Sequence, residues 1–189
     1  MIRKLVIKIY AKIKVFIYMR ILSTAKVVGR SFKVKSPTQF IGLGRIEIDE
    51  ATIGYFPSPG FLSSSGYIEA RFPSSSINIG NGTIISNGAA IIAEKETIRI
   101  GNNCRIGFGF YVSDSDFHAT DIQSRNSGFH SCKSVSIGDD VFIGINVKIM
   151  KGVCVGDGSV IGAGSIVTHD IGDNEVWCGV PAKKVGICN

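Results

Sequence analysis

Residues 1–30 contain no aspartate and no glutamate. They carry Arg3, Lys4, Lys8, Lys12, Lys14, Arg20, Lys26 and Arg30, so much of the net charge of +6 is local. No interleaving of aromatic and basic residues accompanies them, which speaks against a nucleic-acid surface. Lysines interrupt the N-terminal apolar residues every few positions. No run is left long enough to span a bilayer, and no small-residue cleavage site marks a secretory signal. The five cysteines are odd in number, irregularly spaced and without a CxxC pair. That argues against a disulfide framework and a thiolate zinc site, and reduced thiols in a cytoplasm are the simpler reading. Histidine is scarce too: His118, His130 and His169 lack the spacing of a three-histidine metal centre.

What is there begins with a helix. Over residues 1–22, at about 100° per residue, Ile2, Leu5, Val6, Ile9, Tyr10, Ile13, Phe16 and Ile17 fall on one side. Arg3, Lys4, Lys8, Lys12 and Lys14 fall on the other, with Ile7 and Val15 among them and Arg20 on the apolar side. Such a helix packs on its own domain or a neighbouring subunit, or lies on an anionic membrane surface. The chain divides into a basic amphipathic segment, 1–30, and a second domain, 31–187.

From Thr38 onward Gly, Asn, Asp and Ser punctuate short aliphatic runs, the pattern of strands and turns. Residues 137–172 divide without a gap into IGDDVF, IGINVK, IMKGVC, VGDGSV, IGAGSI and VTHDIG. Earlier copies are IDEATI (48–53), IGNGTI (79–84), ISNGAA (85–90), IGNNCR (100–105) and IGFGFY (106–111). A period of six fits neither a helix nor a simple strand. It suits a short strand and a tight turn, repeated, with position one pointing inward and the small or β-branched position five packing beside it. Stacked units of this kind build a parallel β-helix.

The stretch 137–186, with "DDVFIG", "GAGSIVTHD" and "GVPAKKV", resembles the bacterial hexapeptide-repeat acyltransferases, whose counterparts read "NVWIG", "GAVVTKD" and "GNPAKVI". It is closest to the sugar O-acetyltransferases of the maltose and O-antigen or capsule type, over roughly residues 75–187. The resemblance implies an all-β fold, a left-handed parallel β-helix with three hexapeptides per coil. It also implies a homotrimer and acetyl-CoA as co-substrate, with no metal required. Its coenzyme contacts carry over to Gly144, Ile145, Ala163, Thr168, His169 and Lys183, and its acceptor-binding Asn to Asn87. Phe142 stands where the family has Trp, and Val180 where it has the Asn before proline.

The aliphatic ladder Ile100, Ile106, Val112 next calls for residue 118, which is His118. An imidazole among buried aliphatics would be costly, so the chain is expected to leave the coil here. Residues 119–134, polar and without a hexad, form the excursion, and the repeat resumes out of frame at Ile137. Transfer of acetyl from a thioester to a hydroxyl needs a base, and His suits it near neutral pH. His118 matches the family's catalytic histidine. Asp114 or Asp116 orients its ring, with nothing to choose between them. His130, in the excursion, is assigned to acceptor contact. No cysteine is placed as a nucleophile, which favours direct transfer over an acyl-enzyme.

The reading is an O-acetyltransferase for a sugar hydroxyl, of a cell-surface polysaccharide or its precursor. It would work in the cytoplasm, at the inner face of the membrane if residues 1–22 touch lipid. Alternatives are N-acetylation of an amino sugar or nucleotide-linked sugar, a zinc carbonic anhydrase of the same fold, and a non-catalytic β-helix that only binds. The acceptor would meet the 119–134 loop and segment 55–78.

Overall fold

The hexads stack as their pattern requires. In the computed structural model, which describes residues 2–188 and side chains from Leu5 onward, the chain visits three parallel sheets in rotation. Sheet I runs from Val27–Val28 to Cys154–Val155, sheet II from Lys33–Val34 to Ala182–Ile187, and sheet III from Thr38–Gly42 to Ile166–Val167. Each turn of the prism lays a strand beside its counterpart one coil earlier. Ile48, Ile79, Ile100, Ile137 and Val155 share one rung of sheet I. Ile53, Ile85, Ile106, Ile143 and Ile161 share one in sheet II. Phe40, Ile68, Ile91, Val112, Ile149 and Val167 share one in sheet III. These residues form a single buried column, and position five of the last six hexads (Val141, Val147, Val153, Ser159, Ser165, Ile171) is buried beside it.

The corners explain the remaining letters of the hexad. Asp140, Asn146, Gly152, Gly158 and Gly164 occupy position four, and each has positive φ. That conformation admits Gly, Asn and Asp at least cost. Along the corner between sheets I and II, side-chain oxygens cap the preceding coil's backbone. Asn102 accepts from Asn81 N, Asp139 from Asn102 N, Asp157 from Asp139 N and Asp173 from Asp157 N, at 2.7–3.0 Å.

Helix α1 (Ile2–Arg20) precedes the coils. It is anchored at its C-terminal end: Ser23 Oγ donates to Tyr18 O at 2.7 Å and accepts from Phe40 N at 2.9 Å. Three expectations need correction. The β-helix begins inside the segment assigned to the helical part, because Val27 and Val28 pair with Ile46 and Glu47. The excursion spans 114–134, not 119–134, since the last strand before it ends at Ser113 and the next begins at Val135. The helix also packs by the unexpected side. Ala11 is buried and Ile7, Val15, Tyr18 and Met19 are partly covered, whereas Leu5, Val6, Ile9, Tyr10, Ile13 and Phe16 are exposed. The small Ala11 allows close approach to the strand Thr38–Gly42, and Lys14 reaches Leu62 O at 3.3 Å. Ile2, Arg3 and Lys4, also counted in the two faces, lie outside the described side chains.

Candidate active site

The residues singled out from sequence lie on two different edges of the prism. Asn87, Gly144, Ile145 and Ala163 follow strands of sheet II and turn toward sheet III. Asp114, Asp116, His118, His130, Thr168 and His169 lie beyond strands of sheet III, on the way to sheet I. Lys183 is exposed on the C-terminal strand Ala182–Ile187, which pairs antiparallel with Glu175–Gly179. A single chain therefore separates the two groups by the width of sheet III.

The insert 114–134 leaves the III/I edge as the ladder's interruption requires. His118 is exposed at its root, with no hydrogen bond to another described residue. Phe117, just before it, has φ 60°, a strained conformation for a bulky side chain. Its amide is held by Ser115 Oγ at 2.9 Å, and its ring lies 5.2 Å from the Arg71 guanidinium. The arm carrying His118 is thus held in a costly shape by its neighbours.

The two aspartates do something other than orient His118. Asp114 is fully buried, and its carboxylate accepts from the amides of Glu94, Lys95 and Glu96 at 2.7, 2.9 and 2.7 Å. It closes the turn of the preceding coil. Asp116 pairs with Lys151 Nζ at 3.0 Å, tying the insert to the following coil. The acceptor roles for His130 and Asn87 are corrected as well. The His130 side chain is buried and donates from Nε2 to Glu94 at 2.7 Å, so it does not face an acceptor. The Asn87 amide is buried and satisfied: it donates to Tyr55 O and Pro59 O and accepts from Tyr55 N at 2.9–3.1 Å. It braces loop 54–65, which makes up most of the first half of segment 55–78; the rest is the strand Gly66–Ala70, a turn at 71–75 and the start of the strand Ser76–Ile79.

Glu94 is the residue that sequence reasoning missed. Arg71, Glu94 and Ser115 follow sheet III strands in three successive coils, just beyond paired residues. The buried Glu94 carboxylate accepts from Ser115 Oγ and His130 Nε2, lies 3.7 Å from Arg71 Nη1 and 3.8 Å from Cys132 Sγ. Ser115 and His130 stand at the outgoing and returning ends of the insert, so one carboxylate clips both. Burial by itself would raise the Glu94 carboxyl, but the bonds from Ser115 and His130 and the charges of His130 and Arg71 outweigh it and hold it below its usual value. Burial pushes the Cys132 thiol up. Glu94, His130 and Cys132 are the metal-type donor group found among the described residues. The nearby guanidinium and the donors already on the carboxylate make it a polar clip. No sequence signal marked Glu94, because coils of unequal length hide which residues stack.

On the other edge, Ile145 and Ala163 are exposed beside Gly144. A Cβ on Gly144 would lie 2.6 Å from Ala163 N, so coil stacking demands glycine there. An open groove on sheet II runs alongside, lined by Tyr55, Ser86, Arg105, Gly107 and the exposed Phe142. Thr168 Oγ1 and His169 Nδ1 are 2.9 Å apart on the insert's edge.

The model for bacterial transferase hexapeptide (six repeats) matches residues 134–169. The galactoside O-acetyltransferase of Escherichia coli K12 is 39% identical over 111 residues, 59% of this chain and 54% of that protein. The chain matches 37–54% of the length of such curated relatives. Among solved structures, the polySia-specific acetyltransferase NeuO superposes with a TM-score of 0.60 at 30% identity, over 87% of this chain and 70% of that one. A galactoside acetyltransferase in complex with coenzyme A shares the fold, with a TM-score of 0.60 at 22% identity over 97% and 81%. The repeat model on its coils and the extended likeness to NeuO show that the chain belongs to the hexapeptide-repeat acyltransferases.

Proposed function

We propose that the chain is an acetyl-CoA-dependent O-acetyltransferase acting on a sugar hydroxyl of a cell-surface polysaccharide or its precursor. The observation that carries the reading is His118: exposed, free of partners among the described residues, and presented by a strained, braced arm where the hexad ladder breaks. Galactoside and polySia acetyltransferases among the similar proteins support a saccharide acceptor. The coenzyme A complex of the galactoside enzyme supports the donor.

In this reading His118 removes the acceptor's hydroxyl proton as that oxygen bonds to the acetyl carbonyl carbon. The carbon–sulfur bond breaks, and the proton passes to the departing sulfur. Gly144, Ile145 and Ala163 would hold the coenzyme's arm against exposed backbone, and Lys183 would face its phosphates. Because these residues and His118 occupy different edges, a second copy is needed to bring them together. A closed homotrimer of left-handed coils is the arrangement we infer. Reaction in the cytoplasm would keep the five free thiols reduced.

Acetyl-CoA consumption screened over sugars, nucleotide sugars and lipid-linked oligosaccharides identifies the acceptor. His118→Ala should then lower turnover about 10²–10⁴-fold, with coenzyme binding and thermal unfolding unchanged. Retention of more than about a tenth of turnover, well outside the usual size of a general-base effect, would remove His118 from the chemistry.

A further inference from the structure

We infer that α1 (Ile2–Arg20) docks the protein in the plane of an anionic lipid surface, an inference independent of the proposed chemistry. The helix has two apolar sides, and the coils use the poorer one, around Ala11. On the far side Leu5, Ile9, Ile13 and Phe16 are 58, 49, 54 and 61% exposed. At about 100° per residue they fall within an arc of roughly 80°. That is a continuous stripe turned away from the rest of the chain. The bonds of Ser23 and the contact of Lys14 with Leu62 fix the helix in this orientation.

Charge selects the occupant. Exposed Lys8 and Lys12 border the stripe on one side, Arg20 lies at its end, and residues 1–30 contain no acid to offset them. A second copy of α1 laid on the first would bring lysine rows together, whereas anionic headgroups complement them. The helix lies on the surface and does not cross it: no helix among the described residues is long and apolar enough to span a membrane. Immersing the stripe places the lysines at headgroup depth, where each is worth about 1 kcal/mol.

Sedimentation of the full-length protein tests this, with vesicles of phosphatidylcholine alone and with roughly a third phosphatidylglycerol. Binding is expected to the anionic vesicles at about 50 mM salt and to fall sharply at about 500 mM, as screening shortens the range of the charges. Lys8→Gln with Lys12→Gln should weaken it about thirty-fold, the equivalent of two such cations. Ile13→Asp with Phe16→Asp should abolish it while leaving thermal unfolding and the mass by light scattering unchanged. Failure to bind anionic vesicles at low salt, equal binding to neutral ones, or a changed mass in the aspartate variant each overturns the inference. The changed mass would assign the stripe to contact between copies.

Discussion

Replacing Glu94 with alanine tests the clip at the root of the insert. The substitution removes the acceptor for Ser115 Oγ and His130 Nε2 and one of the two carboxylates around Arg71. His130 is then left with both ring nitrogens unpaired in a buried place, since Nδ1 already lacks a partner. Arg71 keeps Glu69, which accepts from Nε at 2.9 Å and Nη2 at 3.1 Å, so its loss is small. Breaking a buried charged pair from one side costs about 3–5 kcal/mol. The two bonds share one acceptor and do not add, so that range is the expectation for the whole substitution. For a chain of this size it corresponds to a melting temperature lower by about 6–20 °C. Glu94→Gln keeps volume and one oxygen but turns an amide toward a donor, and should fall between alanine and wild type.

Two further readouts separate a clip from general destabilisation. Loosening both ends of the insert should speed tryptic cleavage at the exposed Arg125 more than cleavage within the coils. The pH dependence has a definite sign. A carboxyl held below its usual value contributes stability that is full above about pH 4.5 and is lost as pH falls through the lower folded value. The gap between wild type and Glu94→Gln should therefore narrow on acidification below about pH 4.5. A melting temperature within about 2 °C of wild type for Glu94→Ala, less than 1 kcal/mol on this scale, would refute the clip.

Asp114→Ala removes the acceptor of three amides, of which that of Glu94 is buried and those of Lys95 and Glu96 are less covered. It should cost about 1–3 kcal/mol, read by thermal unfolding, with Asp114→Asn intermediate because only one oxygen remains to accept. Glu175 accepts from Lys184 Nζ at 2.6 Å, Trp177 Nε1 at 2.8 Å and Gly172 N at 2.9 Å, which lowers its carboxyl to about 2. An NMR titration should find its midpoint there, and Lys184→Met should move it upward.

The column of the fold was legible because one physical rule repeats. Every first position faces a narrow apolar interior, so only Ile, Val or Leu is comfortable, and a histidine at the next slot had to mean departure from the coil. The helix was legible as amphipathic but not in its direction. An apolar stripe says that something covers it, whereas the coils required a small residue for close approach, and Ala11 supplied it. The start of the insert was misplaced by the same rule that found it. The ladder marks where an aliphatic is missing, at residue 118, while the chain had already turned away after Ser113, held by Asp114.

Polar roles on the edges followed a different logic. Asp114, Asp116, Asn87 and His130 were read by their neighbours in sequence, which placed them around His118 or the acceptor. Their partners are instead one coil away: residues 94–96 for Asp114, Lys151 for Asp116, Tyr55 and Pro59 for Asn87, Glu94 for His130. In a solenoid the neighbour that decides a polar side chain's role is the residue stacked above or below it. Its distance in sequence is set by whatever loop the intervening coil carries. Turns 71–75 and 94–96 differ in length and make those distances unequal, so no fixed spacing could reveal Arg71, Glu94 and Ser115 as one stack. Loop 54–65 and insert 114–134 concentrate the polar braces, since a loop leaving a repetitive scaffold must be tied at both ends by groups the repeat does not provide. His118 stands apart from that set: the clip holds the backbone beside it and leaves its ring free.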